Sequence, residues 1–210
     1  MFNLAYSLAK AKYLPDLAPD VAYIVQAGLF YGSLRKAEPN DMRDKTVALY
    51  NPSFTQKQHV LGLAVEKHEK ELLRYYTDVL RAMQQHRKEL NALSSYFWMR
   101  PVVRSRGKTL MSFPWHDTYP ETAGFLRAVQ DPSEEATLYS DLDQGWQVEL
   151  YAAGNKLYLA QGSDDDDEPG TVYYTDRDRF AKLAAEALAR TQYQLALFVR
   201  ETGQNPWKYA

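Results

Sequence analysis

Four histidines, His59, His68, His86 and His116, are the first residues to weigh for chemistry near neutral pH. His68 and His86 fall on the apolar stripe of a helical segment, where a half-buried structural imidazole is the simpler reading. The stretch His68-Glu69-Lys70-Glu71-Leu72 lacks the second histidine of a zinc-protease helix. No glutamate is followed three residues later by a histidine, so the di-iron bundle pattern is missing too. His116-Asp117, between Trp115 and Tyr119, has the make-up of a general-base pair. Its nearest hydroxyl, Ser112, belongs to an expected strand, where successive side chains alternate faces, and no Gly-x-Ser-x-Gly elbow is present. The pair reads as a polar loop bonding its own backbone, and an enzyme using His116 and Asp117 is the least favoured alternative. No glycine loop has the offsets needed to cradle a phosphate. There is no cysteine, which removes disulfides and thiolate metal sites. The expectation is a chain without catalytic residues, metal or cofactor.

The charged segments point to binding instead. Asp164, Asp165, Asp166, Asp167 and Glu168 form one acidic run. It is not a calcium loop of the EF-hand kind, because the sixth and twelfth positions counted from Asp164 are Pro169 and Thr175. Five adjacent carboxylates repel each other and hold the segment in water. The run reads equally as a solvated turn guarding a sheet edge or as a docking element for a basic protein surface. Arg100, Arg104, Arg106 and Lys108 cluster beside Phe97 and Trp98, but a net charge of -2 favours a solvated hairpin tip over nucleic acid. The 16 tyrosines and 4 tryptophans are side chains suited to binding surfaces as well as to core rims.

These residues need elements to hold them. Val21, Ile24, Val25, Leu29 and Phe30 suggest a helix beginning near Pro19 or Asp20. Asn51-Pro52-Ser53, with Ser53 and Gln56 in capping-box positions, predicts a long helix from about 53 to 97. Its stripe runs through Leu61, Val65, His68, Leu72, Tyr76, Val79, Met83, His86, Leu90, Leu93 and Phe97, at steps of three and four. Unbroken, it would be roughly 65 Å long. Such a stripe can also pair with its own symmetry mate, giving a homodimer.

After Pro101 the periodicity changes. Arg106-Gly107-Lys108 marks a hairpin, and a short helix follows at about 121–129. Strands are expected at 136–142, 146–151, 156–160 and 171–175, turning at Gly145 and at Gly154-Asn155. A last helix begins at Asp176 or Asp178 and stops before Gly203. The fold class is therefore α+β. Residues 1–99 are expected to form a helical region, and 100–210 an antiparallel sheet of about four to six strands packed by a C-terminal helix, as separate regions or as one continuous domain. The segment MFNLAYSLAKAKYLPDLAPD lacks the order of a secretory leader, since Asn3 and Ser7 interrupt the apolar stretch and Lys10 and Lys12 come after it. No stretch approaches the ~20 apolar residues of a membrane span. The expectation is a cytoplasmic protein with no membrane or nucleic-acid partner.

One series of motifs resembles a known group. Trp146-Gln147-Val148-Glu149-Leu150, the turn at Gly154, Leu157-Tyr158-Leu159, the acidic proline-containing loop, a short strand and a helix ending in Gly203-x-x-Pro206-Trp207 are similar to bacterial immunity proteins. These are encoded beside the toxins of competition systems such as type VI secretion or contact-dependent inhibition. The likeness covers about residues 136–207. It implies a non-catalytic cytosolic protein that binds and inhibits one cognate toxin or effector. It further implies that Asp164, Asp165, Asp166, Asp167 and Glu168 dock the partner, with Tyr139, Tyr151, Tyr158, Tyr173, Tyr174 and Trp146 as aromatic anchors. The alternative of the same general kind is an effector-loading chaperone or adaptor.

Overall fold

The computed structural model describes residues 8–32, 44–55, 58–113, 118–143, 145–163 and 171–208. Two compact units are built from interleaved stretches of chain. Unit 1 takes Met1–Val21, Pro101–His116 and Pro120–Ala189, and unit 2 takes Ala22–Arg100, Asp117–Tyr119 and Arg190–Ala210. The strands are β1 (Lys12–Tyr13), β2 (Ala18–Ile24), β3 (Gly28–Phe30), β4 (Thr46–Ala48), β5 (His59–Leu61), β6 (Met99–Ser105), β7 (Lys108–Ser112), β8 (Glu135–Asp143), β9 (Trp146–Ala153), β10 (Lys156–Ser163) and β11 (Thr171–Asp176). The helices are α1 (Gly62–Val65), α2 (Glu69–Gln85), α3 (Tyr119–Ala128) and α4 (Arg177–Thr202), with 3₁₀ stretches at Leu90–Phe97 and Pro206–Lys208.

Unit 1 is organised by a five-stranded sheet in the order β1-β11-β10-β9-β8. β8 to β11 pair antiparallel, and β1 joins β11 in parallel. One face buries Val148, Leu150, Ala152, Leu157 and Leu159. At ~1.5–3 kcal/mol for each fully buried large aliphatic side chain, this row decides which face is the core. Phe113 and Phe125 pack with ring centroids 4.6 Å apart. The β9–β10 turn uses Gly154 at φ 56, and the Asp176 carboxylate accepts the Arg179 backbone N–H at 2.7 Å, capping α4. At its far end α4 stops at Gly203, φ 69, as the sequence predicts.

In unit 2 the second half of β2 pairs antiparallel with β5 (Ala22↔Leu61, Tyr23↔Val60, Ile24↔His59), and β3 pairs with β4. In unit 1, the part of β6 from Pro101 on and β7 form the expected hairpin, with Arg106 and Gly107 both at positive φ in its turn. The unit 2 core is aromatic. Tyr76 meets Phe97 at 5.5 Å, Phe198 at 5.4 Å and Trp207 at 5.0 Å between centroids.

The mixed helix-and-sheet class and the antiparallel sheets are as expected, but the helical N-terminal half is not. The described residues before 62 are mostly strand and loop. The segment expected to be a helix near Pro19 is β2, buried at Pro19 through Ile24. A strand covered on both faces is a continuous apolar run, and periodicity cannot tell it from a buried helix. The segment expected as one helix over 53–97 holds four elements: strand β5, the single turn α1, the 17-residue α2 and the 3₁₀ stretch. Gln56, half of the expected capping box, lies outside the described residues.

The stop after α2 carries no glycine. Arg87 takes the left-handed conformation at φ 52. Its N–H donates to Gln84 O at 3.2 Å, and Lys88 N–H donates to Met83 O at 2.9 Å. This is a Schellman closure with arginine where glycine is usual, so nothing in the residue types marked it. A non-glycine residue there costs ~1–2 kcal/mol. Arg87→Gly is therefore expected to raise the unfolding free energy by about 1 kcal/mol, measured by urea denaturation. Within the aromatic core the Tyr76 hydroxyl is buried and has no hydrogen-bond partner among the described residues. Tyr76→Phe is expected to leave stability unchanged or raise it by about 1 kcal/mol, since an unsatisfied buried hydroxyl costs ~1–3 kcal/mol; a loss above that size would mean the hydroxyl is satisfied.

Candidate functional site

The five-stranded sheet lines up four tyrosines. Tyr13 on β1 is in register with Tyr174 on β11, Tyr174 with Tyr158 on β10, and Tyr158 with Tyr151 on β9. Side chains directly opposite across strands share a face, so the four form one row perpendicular to the strands, about 14 Å long at ~4.8 Å per strand. The row lies on the face away from Leu157 and Leu159, which alternate with Tyr158 along β10. The Tyr13 and Tyr174 centroids are 5.1 Å apart with planes tilted by 39°. Tyr158 and Tyr174 are stacked, 5.4 Å apart at 29°. The rings thus turn much of their flat faces toward each other.

Charged groups border the row. Lys156 Nζ stands 5.2 Å from the Tyr174 ring centroid, and Lys156 is in register with Asp176 on one side and Ala153 on the other. Ala153 is in turn opposite Glu135 on β8. The Tyr151 hydroxyl donates to Glu135 Oε1 at 3.2 Å. Loss of water and then that carboxylate raise the Tyr151 phenol above its ordinary range. The hydroxyls of Tyr13, Tyr158 and Tyr174 have no hydrogen-bond partner among the described residues. On the other side of the row, Ala160 and Val172 are buried with Ala11 and Tyr158 packed against them. Glu149, in register with Ala160, is also buried, its Oε1 taking the Gln147 side-chain N–H at 2.7 Å.

The tyrosines expected as anchors therefore separate. Tyr151, Tyr158 and Tyr174 come together. Tyr173 alternates to the opposite face, in register with buried Leu159. Tyr139 packs against Phe125 at 5.3 Å and Phe113 at 6.1 Å. Trp146 is 51% exposed at the start of β9, five residues before Tyr151. Tyr13 joins the row unannounced, because β1 is two residues long and has no periodicity of its own. Asp164 to Glu168 lie outside the described residues, as do His116 and Asp117.

The basic hairpin is tied down. Arg104 pairs with buried Asp20 at 3.4 Å and donates to Gly107 O at 3.3 Å. The Asp16 carboxylate accepts from Ser105 Oγ at 2.8 Å and from Arg106 N–H at 2.7 Å. The Ser105 hydroxyl is the main cause that lowers the Asp16 carboxyl below its usual range.

In unit 2, Glu71 gathers four donors. Ser53 N–H reaches it at 2.7 Å, Ser53 Oγ at 3.0 Å, Tyr50 hydroxyl at 3.1 Å and His68 Nδ1 at 3.2 Å. Serine, histidine and a carboxylate are all present, but serine and histidine both hold the carboxylate, whereas nucleophile activation needs histidine on the serine hydroxyl. The group clasps the 50–55 segment to the first turn of α2. His68 also stacks on Phe54 at 4.5 Å, and His86 on Tyr31 at 3.8 Å. Among the described residues no three His, Cys, Asp or Glu side chains converge as a metal would need, and no helix is long and apolar enough to cross a membrane. Two open clefts in unit 2, of 590 Å³ beside Met83 and Leu90 and 470 Å³ beside Leu195 and Trp207, contain no such cluster.

Charge is divided unequally between the units. Unit 1 has 17 Asp and Glu against 10 Lys and Arg, a net of -7, and unit 2 has 10 against 15, a net of +5. The overall value of -2 conceals this split. In comparisons with known proteins, no family model, curated protein or solved structure matches the chain.

The Glu71 clasp has a pH signature. Its carboxyl is lowered from 4.5 to about 2, first by the Ser53 backbone N–H and then by the Ser53 hydroxyl. A carboxyl depressed in the folded state stabilises the protein above its unfolded value, and that contribution fades as pH falls through the folded one. The wild type should thus lose melting temperature between pH 4.5 and about 2, and Glu71→Gln should lose less over the same window. Parallel curves from thermal melts would remove Glu71 from the acid response.

Proposed function

We propose that this chain is a non-catalytic binding protein that neutralises a cognate toxin or effector in the cytoplasm, and that the tyrosine row of the five-stranded sheet is its grip. The observation that carries the reading is the alignment of Tyr13, Tyr174, Tyr158 and Tyr151 on one face, with three hydroxyls that have no internal partner among the described residues. Tyrosine combines a large contact area with few rotatable bonds, and rings already held by their neighbours lose little further freedom on binding. Because neighbouring rings occupy much of the ring faces, bases and sugar rings find little flat surface on which to stack. Ring edges and hydroxyls are what the row offers, and these suit the polar backbone and mixed side chains of a protein. The resemblance of residues 136–207 to immunity proteins supplies the partner class. The acidic run at Asp164 to Glu168 supplies five of the seven net negative charges of unit 1, a field that speeds encounter with a basic surface.

Cross-strand aromatic pairs also stabilise a sheet by ~0.2–1 kcal/mol, so the test separates binding from folding. The toxin encoded beside this chain should lose its activity at one molar equivalent of the purified protein. Tyr158→Ala should weaken binding by about 30-fold or more, the range of a ≥2 kcal/mol hot spot, while the melting temperature falls by only a few degrees. A toxin bound yet fully active would identify a loading chaperone or adaptor. A toxin inhibited equally by wild type and Tyr158→Ala would move the grip off this row.

A further inference from the structure

Proceeding from that reading, we propose that the tyrosine row is a docking face for a cationic polypeptide segment, an arginine- and lysine-bearing stretch of the partner laid across β1, β11, β10 and β9. Three observations converge on this chemistry. The row already holds a cation: Lys156 Nζ stands 5.2 Å from the Tyr174 ring centroid, within the ~6 Å reach of a cation–π contact. At one end Tyr13 is 54% exposed on the edge strand, so a guanidinium has an open ring to cover. At the other end the exposed Glu135 carboxylate accepts the Tyr151 hydroxyl through Oε1 and, among the described residues, keeps acceptor capacity for a partner's N–H.

The two ends are about 14 Å apart, the span of roughly four residues of extended chain. Of the charged groups on this part of the face, Lys156 is in register with Asp176, so the lysine does not leave the row net positive. The unit as a whole is at -7, five of these charges coming from the run at Asp164 to Glu168 and a net of -2 from its other residues, 12 acidic against 10 basic. An anionic chain such as single-stranded nucleic acid would meet this field as repulsion, with the exposed Tyr13 ring as its one stacking surface among the described rings of the row. The unit that carries the row is therefore complementary to a basic segment, although the whole chain is nearly neutral.

The test uses the full-length protein and two defined probes, a fluorescent ten-arginine peptide and a ten-nucleotide single-stranded DNA. It is run in a background with Asp164, Asp165, Asp166 and Asp167 changed to asparagine, so that the acidic run cannot act as the binding site. Fluorescence anisotropy in low salt should show the peptide binding in this background, with affinity falling as salt rises. Tyr13→Leu, which keeps the apolar contact but removes the ring, should weaken it two- to fivefold, the size of an exposed cation–π contact. Glu135→Gln should weaken it to a similar degree, and the DNA should not bind. Heteronuclear NMR should place the peptide-induced shifts on residues 13, 151, 158 and 174. Loss of all peptide binding in the asparagine background, or indifference to both Tyr13→Leu and Glu135→Gln, would overturn the proposal. Binding of the DNA with shifts at the same tyrosines would overturn it in favour of nucleic acid. The toxin assay separates the two levels. If inhibition depends on Tyr158 while the peptide ignores the row, only the cationic chemistry falls. If inhibition ignores Tyr158, the binding role of the row falls with it.

Discussion

The register of β9, β10 and β11 is the constraint on which the surface depends. Leu157 and Leu159 on β10 and Val148, Leu150 and Ala152 on β9 are all buried on one face. Because side chains alternate along a strand, a slip of one residue would send this whole set to solvent and Tyr158 into the core. Such an exchange loses several large apolar side chains at ~1.5–3 kcal/mol each, so competing registers are strongly disfavoured. The tyrosine row inherits its alignment from this core. Nothing in the tyrosines themselves needs to specify it, and among the described residues the hydroxyls of Tyr13, Tyr158 and Tyr174 are left unused by the fold.

The edge of that sheet is handled differently at its two ends. β1 is two residues long, parallel to β11, and held beyond its end by Leu14 N–H donating to Tyr174 O at 2.9 Å. A short edge strand offers little template for unwanted pairing. β8, nine residues long, has a register shift between Thr137 and Tyr139 and carries Glu135 and Asp141. A bulge and like charges both discourage edge-to-edge association. With both edges blunted, the tyrosine row is the better candidate for contact with another molecule.

Unit 2 is built on other principles. Its core relies on tyrosine, phenylalanine and tryptophan rings in stacked, tilted and edge contacts around Tyr76, and its loops are tied by carboxylates with several donors, as at Glu71. His68 and His86 stack on rings, and His68 also joins the Glu71 clasp. The same side-chain types that build an active site elsewhere are here committed to holding loops, because the carboxylate takes the hydroxyl and the imidazole separately. The opposite net charges of the two units follow from residue choices spread along an interleaved chain, and they emerge only when residues are grouped by unit.

The sequence by itself determined the second half of the fold. Alternation along Trp146 to Leu150, glycine at 145 and 154, and the capping aspartate and terminal glycine of the last helix are local signals, and local sterics and hydrogen bonding enforce them wherever the chain goes. It did not determine the first half. Residues 18–24 are a strand because pairing and burial on both faces outweigh an ambiguous apolar pattern, and the helix ends after Gln85 through a left-handed arginine that no propensity marks. The candidate surface lies between these cases. Three of its tyrosines are visible in the sequence, but which of the many tyrosines share a face, and that Tyr13 completes the row from far along the chain, is decided by strand pairing. Pairing over long separations is set by the total burial of the sheet, a sum over the whole unit that no local stretch of sequence contains.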